Sequence, residues 1–393
     1  MDISSLTGDL IRIRSDNPPG DTSDAIEYIS DFLDGIGIRS EIVRARGRKW
    51  NLISRADENE LLVCGHVDVV PSLGDDWTCE PYSGLLREGF VWGRGASDMK
   101  GGCAALLWAL KSIVDTGEEP RTNIAFVCDE ETGGRCGMKY LLGRGMLPKT
   151  DCLIAEPSPL LNPSIGQKGL IRADLVFRGE PGHASLHPYA GRNAISEALA
   201  LIRRLEEIRQ IEFVPPGDLA GIIERSAAVL SDLFSVPDIE RVLTTVTYNP
   251  GIIRGGEKVN VIAQRCQLEL DLRLPWGIGA EEVLAMLHRH APRATVKVMD
   301  ISEPNYTPPD ASVVKRLSQE IARVTGMAPS PIVQWAASDA KLLRSEGFPV
   351  VEYGPGEVRL LHAVDERVSV RSLETTSEIF RGFISSYSRH HRG

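Results

Sequence analysis

Short apolar runs alternate with longer amphipathic segments in the first part of the chain. Three runs have the length and composition of buried strands, namely ELLVCGHVDVV (60–70), NIAFVC (123–128) and DCLIAEP (151–157). Segments 22–37 and 101–117 have the apolar spacing of helices, and the second lies between two of the predicted strands. Strands separated by helices of this length predict an α/β fold with a mixed, largely parallel sheet flanked by helices.

The pattern changes after about residue 167. Residues 171–177 (IRADLVF) and 267–274 (QLELDLRL) alternate strictly between apolar and polar, which is typical of a sheet with one exposed face. The elements predicted from here onward follow the β-α-β-β-α-β order of a ferredoxin-like unit. In chain order they are a strand at 168–178, a helix at 193–208, strands near 244–248 and 266–274, a helix at 280–291 and a strand at 294–299.

The alternation of helix and buried-strand patterns seen in the first part of the chain returns beyond residue 301, with a helix at 311–325, a strand at 349–353 and a helix at 372–386. The simplest organisation is one domain inserted into another. We predict the following bounds: a first domain formed by 1–167 and 302–393, and an inserted domain at 168–301.

Composition and charge narrow the class of protein. The 393 residues are 42% hydrophobic and 25% charged, which is ordinary for a globular protein. A formal net charge of -10 argues against nucleic-acid binding that depends on clustered Lys and Arg. The start has no secretory or transit pattern and no run of about 18 apolar residues occurs, so we expect a cytoplasmic protein with a small-molecule substrate and no membrane partner.

Candidate metal ligands follow the apolar runs of the first domain. Taken singly, each is as readily a capping or surface group, but parallel strands deliver their carboxyl ends to one edge of a sheet. His and carboxylate groups without thiolates suit Zn, Co or Mn, and the seven cysteines include no CxxC pair. The candidates are His66 and Asp68 in GHVDVVP, Asp98 in GRGASDMKGG, Glu130 and Glu131 in DEETGG, and Glu156 in AEPS.

These motifs, followed by LLHAVDERV, resemble in their order the dinuclear zinc aminoacylase and carboxypeptidase family. That family includes acetylornithine deacetylase, succinyl-diaminopimelate desuccinylase, aminoacylase and the glutamate carboxypeptidases. The resemblance extends from about residue 10 to about 385. It implies a zinc-peptidase-like catalytic domain interrupted by a ferredoxin-like lid, through which we expect the chain to form a homodimer.

The resemblance also implies roles for individual residues. Two divalent metal ions are expected, with zinc first and cobalt or manganese as alternatives, and the peptide between Asp98 and Met99 is expected to be cis. Asp129 receives no role beyond the turn. The implied roles are one ion held by His66 and Glu156, a second held by Glu131 and His362, Asp98 bridging both, Asp68 behind His66, and Glu130 as general base.

Further positions match substrate-contacting residues of the family. His183 matches a histidine that stabilises the developing oxyanion, in dimeric members from the neighbouring subunit, although a loop histidine without a role is the alternative. Asn260 and Arg273 match lid positions that contact substrate, and Arg273 as an ordinary exposed strand residue is again the alternative. Ser338 and Lys341 lie where desuccinylases usually show a Thr-Ser-Asp-Gly-Arg pattern, so strict desuccinylase specificity is not expected.

The resulting functional hypothesis is a metal-dependent hydrolase of the acetylornithine deacetylase or succinyl-diaminopimelate desuccinylase type. It would cleave the amide bond of an N-acyl amino acid by attack of a metal-bridging water. A dipeptidase or carboxypeptidase of the same family, acting on short peptides, is the alternative, because the same chemistry cleaves peptide bonds. A catalytically silent relative would have lost a ligand or the base, and none is missing here.

Overall fold

The computed structural model describes residues 2–56, 61–72, 74 and 76–388, so residue 60, the first of one predicted strand, lies outside the described part. The strands are β1 (Glu41–Arg46), β2 (Lys49–Ser54), β3 (Leu61–His66), β4 (Leu85–Arg87), β5 (Phe90–Trp92), β6 (Asn123–Val127), β7 (Asp151–Ile154), β8 (Ser164–Gln167), β9 (Gly169–Arg178), β10 (Thr247–Gly255), β11 (Arg265–Leu274), β12 (Thr295–Ser302), β13 (Asn305–Tyr306), β14 (Ile332–Gln334), β15 (Val350–Glu352) and β16 (Arg367–Ser369). The helices are α1 (Ile3–Arg12), α2 (Ser23–Gly35), α3 (Lys100–Asp115), α4 (Met138–Gly143), α5 (Ala194–Ile208), α6 (Leu219–Phe234), α7 (Ile239–Thr244), α8 (Ala280–His290), α9 (Ser312–Thr325), α10 (Ala340–Ser345) and α11 (Val370–Ser388).

The chain folds into two compact units. The first contains Met1–Ile165, Tyr306–Ile332 and Ser338–Gly393, and the second contains Gly166–Asn305 and Val333–Ala337. The short segment Val333–Ala337 gives no signal of this placement in its residue pattern. The role of the second unit as a lid stays a prediction.

A mixed sheet forms the centre of the first unit, with strand order β1-β2-β6-β3-β7-β15 followed by the short strands β8, β13 and β14. The four strands β6, β3, β7 and β15 run parallel to one another, whereas β2 pairs antiparallel with β6. Every residue of β3 and β6 is buried, as expected for strands covered on both faces. The predicted largely parallel α/β sheet is confirmed.

The position of α3 against this sheet depends on a glycine. A Cβ atom added at Gly102 would lie 2.1 Å from the carbonyl oxygen of Ala155, just beyond β7. Only glycine allows the first turn of α3 to approach the strand end this closely. The residues that precede α3 are thereby brought to the carboxyl edge of the sheet.

The second unit has an antiparallel sheet with strand order β10-β11-β9-β12. In β11 buried residues alternate with partly exposed ones, and the buried side chains of β9 and β11 form a core with those of α5 and α8. The order of these elements along the chain is that of a ferredoxin-like unit, as predicted.

Helices α6 and α7, which lie between α5 and β10, are additions to the predicted order. The buried residues Leu219, Ile222, Ile223 and Ser226 of α6 have helical spacing, so the signal is present in the sequence, although the β-α-β-β-α-β pattern does not require it. Because α7 extends to Thr244, the strand expected near 244–248 begins only at Thr247.

Candidate metal centre

Three neighbouring parallel strands end at one edge of the first unit's sheet, and each leads to a candidate ligand. β3 ends at His66, and Glu156 lies two residues beyond β7. β6 leads through Asp129 into a 3-10 turn, Glu130–Thr132, that carries Glu131. Since β3 pairs with both β6 and β7, the three side chains come from adjacent positions along the edge.

Two more candidates reach this edge from loops. Asp98 lies two residues before α3, and the Asp98–Met99 peptide is cis, as the family resemblance implies. His362 lies between a short 3-10 turn, Val358–Leu360, and β16, with its backbone in the left-handed region at φ 61°. The loops thus add one carboxylate and one imidazole to the three groups that the strands supply.

The five side chains form two groups of ligand type that share Asp98. In the first group, His66 Nε2 lies 3.0 Å from Asp98 Oδ1 and 3.7 Å from Glu156 Oε1. In the second, His362 Nε2 lies 3.1 Å from Asp98 Oδ2 and 3.4 Å from Glu131 Oε1. Asp98 therefore offers a different oxygen to each group, which is the arrangement of a bridging carboxylate.

The electrostatics of the centre reflect its excess of carboxylates. Burial raises the pKa of Glu156 well above its usual value, and burial together with the Asp98 charge raises that of Glu131. Burial also disfavours the Asp98 anion, but hydrogen bonds from His362 and His66 hold its pKa below the usual range. Contacts with Asp98 and Glu131 raise the pKa of His362 to about 10. Positive charge is favoured between these carboxylates.

Divalent ions fit this set of donors. Three carboxylates carry three negative charges when the two imidazoles are neutral, and two divalent cations would bring four positive charges to them. His nitrogen with carboxylate oxygen suits Zn, Co or Mn. Glu131 Oε1 is buried and accepts no hydrogen bond within the described ranges, so it remains available as a ligand. The chemistry of the residues is consistent with a dinuclear centre.

The contacts of Asp68 differ from those expected. Because β3 ends at His66, Asp68 lies beyond the strand, and the shorter contact to His66 Nδ1 comes from the Asp68 carbonyl at 2.9 Å, with the carboxylate at 3.7 Å. That carboxylate instead accepts the backbone N–H groups of Glu130 and Glu131, each at 3.2 Å, and the Asn17 amide at 2.8 Å. The carbonyl orients the imidazole, and the carboxylate holds the turn that carries both glutamates.

Asp129 stabilises the same turn from its other side. It has φ 68° and is buried, and its carboxylate forms an ion pair with Lys49. It also accepts hydrogen bonds from Thr132 Oγ1 at 2.7 Å and from the Cys136 backbone at 3.0 Å. With its oxygens committed to these donors, Asp129 has the contacts of a structural residue.

The predicted lid residues lie in the second unit. The backbones of His183 and Val261 form an antiparallel bridge, which brings His183 next to Asn260. Both side chains are exposed, and His183 Nδ1 lies 2.7 Å from Ser185 Oγ, so its Nε2 faces away from this contact. Arg273 is held by Asp271 through two hydrogen bonds of 2.7 and 3.2 Å.

Ser338 and Lys341 lie in the first unit at the start of α10, and both are buried. Ser338 Oγ donates to Glu352 Oε1 at 2.6 Å and accepts from the Ala340 backbone at 3.1 Å. The hydroxyl of Ser338 is thus engaged inside the protein. The contact of Ser338 and Lys341 with substrate stays a prediction.

Three residues without a predicted role contact His362, Asp98 or Asp68, namely Arg94, Glu366 and Asn17. Arg94 and Glu366 stand within GRGASD and HAVDE, so proximity to two motifs is the signal that points to them. Asn17 precedes two prolines and carries no comparable signal. Asp339 was likewise missed; it is buried, with one carboxylate oxygen unpaired among the described residues, and burial raises its pKa to about 7.

Comparison with known proteins decides the family. The model of peptidase family M20/M25/M40 matches residues 62–386. The chain belongs to this family. It is accordingly a metal-dependent hydrolase, and the resemblance found in the sequence motifs is confirmed.

Individual relatives agree with this assignment. A succinyl-diaminopimelate desuccinylase from Gluconacetobacter diazotrophicus is 30% identical over 402 residues, covering 97% of this chain and 95% of that protein. Among solved structures, the M20 metallo-carboxypeptidase Sso-CP2 from Sulfolobus solfataricus has a TM-score of 0.81 at 20% identity, covering 98% of this chain and 99% of the other. Human carnosine dipeptidase 1 has a TM-score of 0.76 at 17% identity, covering 98% and 97%. The two structural likenesses bear on the fold alone.

Among the described residues, no helix combines the length and the apolar character needed to cross a bilayer.

Proposed function

We propose that this chain hydrolyses the amide bond of small N-acyl amino acids, as acetylornithine deacetylases and succinyl-diaminopimelate desuccinylases do. The observation that carries the proposal is Asp98, which offers one oxygen to each of two ligand groups beside Glu130. The name of the 30% identical relative supports a substrate with an acyl group on an amino acid nitrogen.

Glu130 is the proposed general base. When bound at the two groups, a pair of divalent ions, zinc by preference and otherwise cobalt or manganese, lowers the pKa of water and polarises the amide carbonyl. Glu130 accepts a proton from the attacking water as the water oxygen bonds to the carbonyl carbon; the C–N bond then breaks, and Glu130 returns the proton to the leaving amine nitrogen. Burial raises the pKa of Glu130 well above its usual value, as expected for a carboxylate inside the protein.

Asp68 is proposed to position the groups around it. Its carboxylate fixes the backbone of Glu130 and Glu131, so the base and the neighbouring ligand keep separate directions on one turn. Its carbonyl accepts the Nδ1–H of His66, which leaves Nε2 of that ring as the ligand atom.

Substrate recognition is assigned to residues of both units. Arg273 is proposed to bind the substrate carboxylate through its guanidinium, with Asn260 beside it, and His183 to donate to the developing oxyanion. Ser338 and Lys341 are proposed to face the remaining polar groups of the substrate. We further propose a homodimer formed through the second unit.

A dipeptidase or carboxypeptidase activity is the second candidate. The departure from Thr-Ser-Asp-Gly-Arg at Ser338 to Lys341 removes the arginine that desuccinylases place there, which favours a wider substrate range. Lysine offers a point charge in place of a planar fork, so it grips a second carboxylate less rigidly.

The test is a hydrolysis panel of N-acetylornithine, N-succinyl-diaminopimelate, other N-acetyl amino acids and dipeptides, with apo enzyme and enzyme reloaded with Zn, Co or Mn. We expect the highest kcat/KM on an N-acyl amino acid and recovery of activity only with metal. Preference for dipeptides would select the alternative, and activity of the metal-free enzyme would overturn the mechanism.

A further inference from the structure

Arg94 and Glu366 form a buried ion pair in the first unit. Arg94 NH1 donates to Glu366 Oε2 at 2.6 Å, and the two side chains are 3% and 0% exposed. The residues are 272 positions apart in the chain, and neither belongs to the two ligand groups. Hydrogen bonds of the remaining donors and acceptors offset the cost of burying such a pair, although Arg94 Nε is buried without a partner among the described residues.

The remaining contacts of the pair reach the main chain of two candidate ligands. Glu366 Oε1 accepts the backbone N–H groups of Ser97 at 2.8 Å and Asp98 at 2.9 Å. Arg94 NH2 donates to the carbonyl of His362 at 3.3 Å. Both ends of the pair therefore contact a residue that offers a ligand atom.

The His362 contact has a specific physical role. A non-glycine residue with φ 61° is in a sparsely populated conformation that persists only when neighbouring groups hold it. The hydrogen bond from Arg94 to the His362 carbonyl is such a constraint. At the other end of the pair, the N–H groups of Ser97 and Asp98 both donate to one oxygen of Glu366, which fixes the two peptide planes that precede Asp98.

We propose that the Arg94–Glu366 pair positions Asp98 and His362 and thereby sets the affinity of the centre for both metal ions. The proposal rests on the proposed metal centre. Because Asp98 contributes an oxygen to each group, displacing its backbone weakens both sites at once, whereas displacing a ligand of one group weakens one site. The pair acts through these ligands and touches neither metal nor substrate.

A second buried pair in the same unit provides a matched control. Arg344 NH2 donates to Glu352 Oε2 at 2.9 Å, and the side chains are 2% and 1% exposed. Arg344 makes its other contacts with Thr307 Oγ1 and the Val350 carbonyl, and it donates to none of the candidate ligands. Loss of Arg344 tests the general effect of removing a buried guanidinium.

The experiment measures zinc stoichiometry by metal analysis, zinc affinity by competition with a chromophoric chelator, and the melting temperature of the apo enzyme. The variants are Glu366→Gln, Arg94→Lys and Arg344→Met. We expect wild type to bind two zinc ions, and Glu366→Gln to lower both affinities about 10- to 100-fold, the range found for residues that orient metal ligands. Arg94→Lys keeps the charge, but lysine cannot reach Glu366 and His362 together, so this variant should also lower both zinc affinities.

Arg344→Met should lower the melting temperature while leaving zinc affinity within about threefold of wild type. The proposal is overturned if Glu366→Gln or Arg94→Lys destabilises the apo enzyme yet binds both ions as wild type does, or if only one site weakens. Should Glu366→Gln fail to fold, Arg94→Lys decides alone. A wild-type enzyme that binds no zinc, cobalt or manganese would instead reject the proposed metal centre itself.

Discussion

The two units of this chain accommodate charged side chains in different ways. On the sheet of the second unit, Asp271 pairs with both Arg172 and Arg273, so each of these charges has an oppositely charged partner outside the protein core. At the sheet edge of the first unit, the carboxylates of Asp98, Glu131 and Glu156 crowd around two imidazoles. Buried charges that still need a counterion indicate a reaction centre, whereas a paired charge such as that of Arg273 carries no such signal by itself.

The largest expected effect comes from the base of the first unit. Glu130→Gln keeps the side-chain volume but removes the proton acceptor, so kcat should fall about 10²- to 10⁴-fold with two metal ions still bound. The measurement combines steady-state kinetics with metal analysis.

Asp129→Asn is the neighbouring control for Glu130. It loses the ion pair with Lys49, so it should lower the melting temperature and reduce kcat far less than Glu130→Gln does. Equal losses of kcat in the two variants, with metal retained, would contradict the division of roles along this turn.

A smaller effect is expected from the paired charges of the second unit. Arg273→Met should raise KM about 10- to 100-fold with a minor change in kcat, because a charged hydrogen bond to a substrate carboxylate is lost. Arg172→Met removes the other partner of Asp271 and should leave KM near wild type. If both variants shift KM equally, Arg273 serves only to pair with Asp271.

The smallest expected effect is on the pH dependence of stability, and it comes from a buried lysine of the second unit. Lys168 Nζ donates to the carbonyls of Val242 and Thr245 at 2.6 and 2.7 Å, and burial lowers its pKa to about 7. In the unfolded chain this lysine has an ordinary pKa near 10.5, so between pH 7 and 10.5 it binds more protons there than in the folded protein. The free energy of unfolding therefore rises with pH in that window.

Replacing Lys168 by Met should remove a slope of at most about 1.4 kcal/mol per pH unit. Urea unfolding at several pH values between 7.5 and 9.5 measures it, with Lys297→Met on the exposed face of β12 as control. Identical slopes for wild type and Lys168→Met would show that Lys168 is charged in the folded protein.

The sequence predicted those features that depend on local pattern. Uninterrupted apolar runs predicted the parallel strands, and alternation predicted the antiparallel sheet of the second unit. The motifs predicted the four groups that gather around Asp98, because strand ends meet at one edge of a sheet and the family resemblance named His362.

Features that depend on exact chain path were not predictable. The carboxylate of Asp68 turns to the Glu130 turn because β3 ends at His66, a boundary that apolar spacing leaves open. The Arg94–Glu366 pair joins residues 272 positions apart, and no local pattern records such a contact. Helix α6 was readable from its spacing but lay outside the expected order of elements.

The central claim is that Asp98 joins two metal sites into one centre. Metal analysis of wild type and Asp98→Asn after reloading with zinc, combined with activity on an N-acyl amino acid, tests it most directly. We expect two ions and full activity in wild type, and loss of both ions together with activity in Asp98→Asn. A folded Asp98→Asn enzyme that keeps two ions, or a wild-type enzyme that is fully active after complete metal removal, would contradict the claim.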